Sequence, residues 1–109
     1  MKEDSLIDRL CKKIFIQEKT NIEDGFGGFM ESWRTIKSTW AEIKPLTASD
    51  KYEASKIEEK ITHLITIRYF LNLKTNHRIL YQDRVFNIRG IVNPFENNKI
   101  QEIKAEEIL

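Results

Sequence analysis

One hundred and nine residues, 40% hydrophobic and 32% charged with four Gly and two Pro, make one domain around one modest core. They exclude both a second catalytic domain and a disordered chain. Eighteen Lys and Arg oppose seventeen Asp and Glu, and a formal charge of +1 excludes a global field that would draw the chain to nucleic acid or anionic lipid.

The balance is uneven locally. Residues 74–90 hold Lys74, Arg78, Arg84 and Arg89 against Asp83 alone, whereas residues 91–109 hold four Glu and two Lys. Faces of opposite sign suit head-to-tail contacts between copies. A lone Cys11 makes no internal disulfide, and no apolar run nears the roughly eighteen residues of a membrane helix. A soluble protein of a reducing compartment, without membrane contact, is expected.

In chain order, residues 4–11 place Leu6, Ile7 and Leu10 on one face of a short helix with Asp4 or Ser5 as cap. Residues 13–19 alternate, with Ile14 and Ile16 on one side and Lys13, Phe15 and Gln17 on the other, which predicts a strand. Residues 20–30 gather Asn21, Asp24, Gly25, Gly27 and Gly28 and predict a loop. Residues 31–44 are strand-like but change phase, since Ile36 and Trp40 share one parity while Trp33, Ala41 and Ile43 share the other. A bulge or two strand pieces reconciles them.

Pro45 ends that element. Residues 46–60 are mostly polar, with caps at Thr47, Ser49 and Asp50, and predict a helical turn or loop without a stripe to anchor it. Residues 60–70 form the clearest strand, with Ile61, His63, Ile65, Ile67 and Tyr69 on one face. Residues 78–81 and 84–89 predict a hairpin around Gln82 and Asp83, although Gly is the favoured turn residue. After turns at Asn93–Pro94 and Asn97–Asn98, residues 99–105 close the fold. The expected class is mainly β, a small antiparallel barrel of about six strands with a short helix or loop between the second and third main strands. Its core is assigned to Trp33, Trp40, Ile65, Ile67, Phe86 and Ile88.

Enzymatic chemistry finds no foothold in these residues. The glycines at 25, 27 and 28 lack both the third glycine of a dinucleotide loop, where Met30 stands, and a following Gly-Lys-Ser/Thr. His63 and His77 have no Cys or carboxylate at ligand spacing, and Cys11 has no signature of a nucleophile. Glu58 and Glu59 are adjacent, so on an extended chain they face apart; Asp50 and Glu53 suit capping. No catalytic residue, metal or cofactor is expected. The competing reading is an OB-like barrel binding single-stranded nucleic acid, with Trp33, Trp40, Tyr69, Phe70, Tyr81 and Phe86 stacking on bases and Arg68, Arg84 and Arg89 on phosphates.

Several separated motifs carry a family resemblance. They are Ile14-Phe15-Ile16-Gln17, Asp24-Gly25-Phe26-Gly27-Gly28 with Trp33, and Trp40-Ala41-Glu42-Ile43-Lys44-Pro45. They continue with Thr62-His63-Leu64-Ile65-Thr66-Ile67-Arg68, Arg78-Ile79-Leu80-Tyr81, the run from Arg84 to Ile91, and Pro94. In this order and spacing the chain resembles the head-tail joining proteins of tailed phages and prophages, also described as head completion or stopper proteins. Gln82 and Asp83 depart from a hairpin tip that often contains Gly.

The resemblance implies a single head-tail joining domain over residues 1–109, with 46–60 as a projecting loop; residues 1–8 extend beyond the family's usual start, as a flexible docking arm or a frayed end. It implies a non-enzymatic virion component at the head-tail interface, present in the host cytoplasm before assembly. Its partners would be portal or adaptor proteins and tail proteins, with a homo-oligomeric ring when assembled and a monomer when free. As in a stopper, Thr47, Ser49, Asp50, Lys51, Tyr52, Glu53 and Lys56 would face the channel and touch packaged DNA transiently. Residues 46–60 carry four acids against three lysines, so they would slide along DNA rather than grip it.

Overall fold

The computed structural model describes residues 9–47 and 60–109. Six strands, β1 (Lys12–Glu23), β2 (Phe29–Pro45), β3 (His63–Arg68), β4 (Arg78–Tyr81), β5 (Arg84–Val92) and β6 (Ile100–Ile108), close into an antiparallel barrel in the order β1-β2-β3-β6-β5-β4. The expected mainly β class and barrel are observed. Apart from a single tight turn at Pro94–Glu96, in which Phe95 and Glu96 take positive φ, helix is almost absent from the described residues. The predicted helix at 4–11 and the helix or loop at 46–60 fall largely outside those residues.

Closure follows from alternation. Ile14 and Ile16 of β1, Ala41 of β2, Ile65 and Ile67 of β3, Ile79 of β4, Phe86 and Ile88 of β5, and Ile103 and Ala105 of β6 fill one buried cluster. Two bulges let sequences of changing phase keep one inner face. Ile16 pairs with Lys37 and Gln17 with Thr35, which leaves Ile36 as the extra residue of β2. Ile36, Ala41 and Ile43 thereby all pack on the core despite opposite parity. In the same way, Ile88 pairs with Ala105 and Gly90 with Lys104, so the additional Arg89 brings both Ile88 and Ile91 to the core.

Two expectations are corrected. Trp40 neighbours the inward Ala41, and adjacent strand residues face opposite ways, so its ring lies on the outer wall at 51% exposure with Lys13 Nζ 5.1 Å from its centroid. Trp33 is only half-buried, outside the core cluster, under Arg78 at 4.2 Å. The second correction concerns residues 20–30. β1 runs on to Glu23 and β2 starts at Phe29, so the loop shrinks to 24–28 and the two strands form a long ribbon. β4 pairs with β1 only as far as Gln17, and six further β1–β2 pairs, from Glu18↔Arg34 to Glu23↔Phe29, project roughly 20 Å beyond the barrel.

Candidate functional site

The barrel has two unlike ends. At one end lie the β4–β5 turn and the anchors of the connection between β2 and β3. At the other lie the projecting ribbon and the loops 69–77 and 93–99.

At the first end the inward positions turn polar. His63, Arg84 and Glu107 continue the inner rows of Ile65, Phe86 and Ala105, and they lie over Phe86, whose ring meets that of His63 edge-on at 5.1 Å. Arg84 donates through Nε to Glu107 Oε2 at 2.9 Å and through Nη2 to Oε1 at 3.0 Å. This bidentate bond holds the Glu107 carboxyl below its ordinary pKa and raises that of the guanidinium. His63 Nε2 lies 3.4 Å from Arg84 Nη2, and its Nδ1 lies 2.8 Å from Thr62 Oγ1. Together these groups form a polar lid on the core.

The same lid fastens the ends of the β2–β3 connection. Leu46 N–H donates to the Thr62 carbonyl at 3.0 Å, Thr62 N–H to the Ala105 carbonyl at 2.8 Å, and Glu107 N–H to Thr62 Oγ1 at 2.9 Å. The described ends of that connection, Leu46 and Thr62, thus meet at a point hydrogen-bonded to β6. Of the residues assigned to the channel, Thr47 is exposed, while Ser49, Asp50, Lys51, Tyr52, Glu53 and Lys56 lie outside the described residues.

At the opposite end, Arg78 Nε donates to Gln17 Oε1 at 2.8 Å, and Gln17 Nε2 to Thr35 Oγ1 at 3.2 Å, tying the ribbon's base to β4. Pairs Glu18–Arg34 and Lys19–Glu31 continue along the ribbon. At its tip, Asp24 Oδ1 accepts from the N–H groups of Phe26 at 2.7 Å and Gly28 at 3.0 Å. Gly25 and Gly27 adopt φ +85°, and a Cβ on Gly28 would sit 2.9 Å from Asp24 Oδ2. Here the glycines build a tight turn, and the turn lifts Phe26 and Phe29 into water at 93% and 70% exposure. The residue reading missed this apolar tip, whose signal was the placement of two Phe beside the turn glycines.

The aromatics proposed to stack on bases do not converge. Phe86 is fully buried, Phe70 and Tyr81 pack on the core, Arg78 covers Trp33, and Trp40 stands on the outer wall. Arg84 and Arg89 are engaged by Glu107 and Glu106. The open clefts beside His77 are lined by mixed charges such as Lys19, Arg89, Glu18 and Arg34. Among the described residues no three His, Cys, Asp or Glu side chains gather as metal ligands.

Residues 6–108 match the family of phage head completion proteins. The chain belongs to that family. Membership gives it a structural role in a virion, in contact with other virion proteins. Two solved structures share the fold. The solution structure of a protein from Shigella flexneri 2a superposes with a TM-score of 0.72 at 23% identity, covering 94% of this chain and 96% of that one. A chain of the virion of a native gene transfer agent particle superposes with a TM-score of 0.63 at 19% identity, covering 92% and 96%. No curated sequence matches this head completion protein.

Proposed function

We propose that this head completion protein joins the DNA-filled head to the tail, as a ring subunit bound to the portal or its adaptor, with residues 46–60 facing the DNA channel. The match over residues 6–108 to head completion proteins is the observation that carries this reading. The likeness to a chain of a gene transfer agent virion supports it.

A channel subunit needs a rigid frame and a segment whose contacts with DNA are weak. The closed barrel supplies the frame, and the hydrogen bonds at Leu46, Thr62 and Glu107 confine rearrangement to the chain between them. Residues 46–60 carry four acids and three lysines, a composition that repels or slides along phosphate rather than retaining it. Free protein is monomeric at micromolar concentration in this reading, and the stable ring forms on the portal, where local concentration is high.

Particles assembled without the protein test the proposal. Filled heads that lack tails and leak DNA are expected by electron microscopy and nuclease sensitivity. Normal tailed particles would overturn it. Deletion of 49–56 separates stopper from bridge: a stopper leaks DNA when the segment is lost, whereas a bridging ring does not.

A further inference from the structure

The ribbon β1–β2 carries a different surface at each end. Its tip exposes Ile22, Phe26, Phe29 and Met30. The two Phe alone place on the order of 300 Å² of apolar surface in water, the size of the largest patch on a typical monomer, which is often functional. Residues 18–34 hold four acids against two bases, and Glu18–Arg34 and Lys19–Glu31 pair internally, so the uncompensated charge is that of Glu23 and Asp24 beside the apolar tip.

The root has the opposite character. Residues 9–13 and 40–47 hold Arg9, Lys12, Lys13 and Lys44 against Glu42, which Arg9 engages at 2.8 Å. Trp40 lies half-exposed among them, with Lys13 directly across the ladder. An apolar, acidic tip therefore complements an aromatic, basic root. Ten residues of β2, about 33 Å of strand, separate Met30 from Trp40, so one stiff ribbon cannot bring its own ends together.

We propose that the ribbon tip of one copy docks on the ribbon root of a second copy, with Phe26 and Phe29 against Trp40 and Glu23 facing Lys13 and Lys44. The contact is heterologous, since each copy offers a tip to one neighbour and a root to another, and such contacts propagate into a ring where the rotation closes. It deepens the connector reading by naming the surfaces between subunits. It also fails separately, because it is read in purified protein without particles.

The exposed Cys11, two residues from Lys13, provides a reporter at the root. Met30→Cys in the full chain places a second thiol at the tip and keeps both Phe26 and Phe29. Oxidation at high protein concentration, followed by mass-spectrometric mapping, is expected to give mainly tip-to-root disulfides between chains. Lys13→Glu with Lys44→Glu should lower that yield about tenfold, as attraction becomes repulsion, and Glu23→Lys should restore it. Dominant tip-to-tip or root-to-root links, or a tip-to-root yield indifferent to these reversals, would overturn the proposal. So would the absence of tip-to-root links from the purified protein at every concentration tried; the tip would then belong to a different virion protein.

Discussion

Arg84 grips Glu107 with two hydrogen bonds, 2.9 and 3.0 Å long, across the β5–β6 ladder at the end of the barrel where the β2–β3 connection is tied down. The pair satisfies charge at the edge of the core while Glu107 N–H holds Thr62. Glu107 therefore serves both, its carboxylate at the edge of the core and its backbone N–H in the anchoring of that connection.

Glu107→Gln should cost about 1–2 kcal/mol in urea unfolding at neutral pH, the usual worth of a charge-assisted bond in a mostly covered site. The pH dependence follows from the lowered carboxyl pKa, whose first cause is the hydrogen bond from Arg84. A folded carboxyl that binds its proton more weakly than the unfolded one stabilises the fold above the ordinary carboxylate range, and the gain disappears as pH falls through the lowered value. The difference between wild type and variant should accordingly shrink in acid. A gap that stays constant as pH falls from 7 to below the ordinary carboxylate range would show that packing, not charge, is responsible.

Phe86→Ala should lower stability by about 3–5 kcal/mol, because the side chain is wholly buried at the centre of the cluster. Trp40→Ala should cost less than about 1 kcal/mol, since half of its surface already meets water. Chemical denaturation of both variants measures the contrast. A Trp40 variant as damaged as the Phe86 variant would contradict the placement of that ring on the outer wall.

Alternation was legible where one face of a strand meets the core and the other meets water. Ile65 and Ile67 of β3, and Phe86 and Ile88 of β5, stand in the buried cluster for that reason. The phase change around Ile36 also signalled a bulge, because no straight strand points Ile36 and Ala41 the same way. Trp40 lies outside the core although it is large and apolar, because its neighbour Ala41 faces inward and adjacent strand residues face opposite ways. The outer half of the ribbon was illegible for a different reason: Thr20, Asn21 and Glu23 lie on a strand solvated on both sides, where no apolar rhythm develops. The Arg84–Glu107–His63 lid draws on three strands, and only their register brings it together.

His77 gives a second pH response, at higher pH. The imidazole is buried, and its Nδ1 accepts the Lys74 N–H at 3.1 Å, closing the turn that leads into β4. Burial lowers its pKa first, Glu18 opposes that, and Lys74 adds to it. A base that protonates less readily when folded destabilises the fold progressively as pH drops below the ordinary imidazole value of about 6.5. Wild type should therefore lose stability between pH 7 and 5, while His77→Ala, weaker by about 1 kcal/mol at pH 7, should show a flatter profile. Parallel pH curves for the two proteins would assign the acid response to other groups.

Backbone strain supplies the last prediction. Gln82 and Phe95 both adopt φ +56°, a left-handed conformation that crowds Cβ against the carbonyl and costs an L-residue roughly 1–2 kcal/mol. Gln82 does so because β4 and β5 are joined by only two residues, with Tyr81 opposite Arg84, and such a turn demands positive φ. Phe95 is held there as Asn98 N–H donates to Asn93 Oδ1 at 3.1 Å and Glu96 N–H to the Asn93 carbonyl at 2.8 Å. Glycine removes the steric conflict but adds freedom to the unfolded chain, so each substitution should gain about 0.5–1 kcal/mol net. Phe95 is 91% exposed, which leaves little packing to lose on its replacement. Urea midpoints of Gln82→Gly and Phe95→Gly should both rise; a fall at Gln82 would mean that its side chain stabilises the turn by more than the strain it imposes.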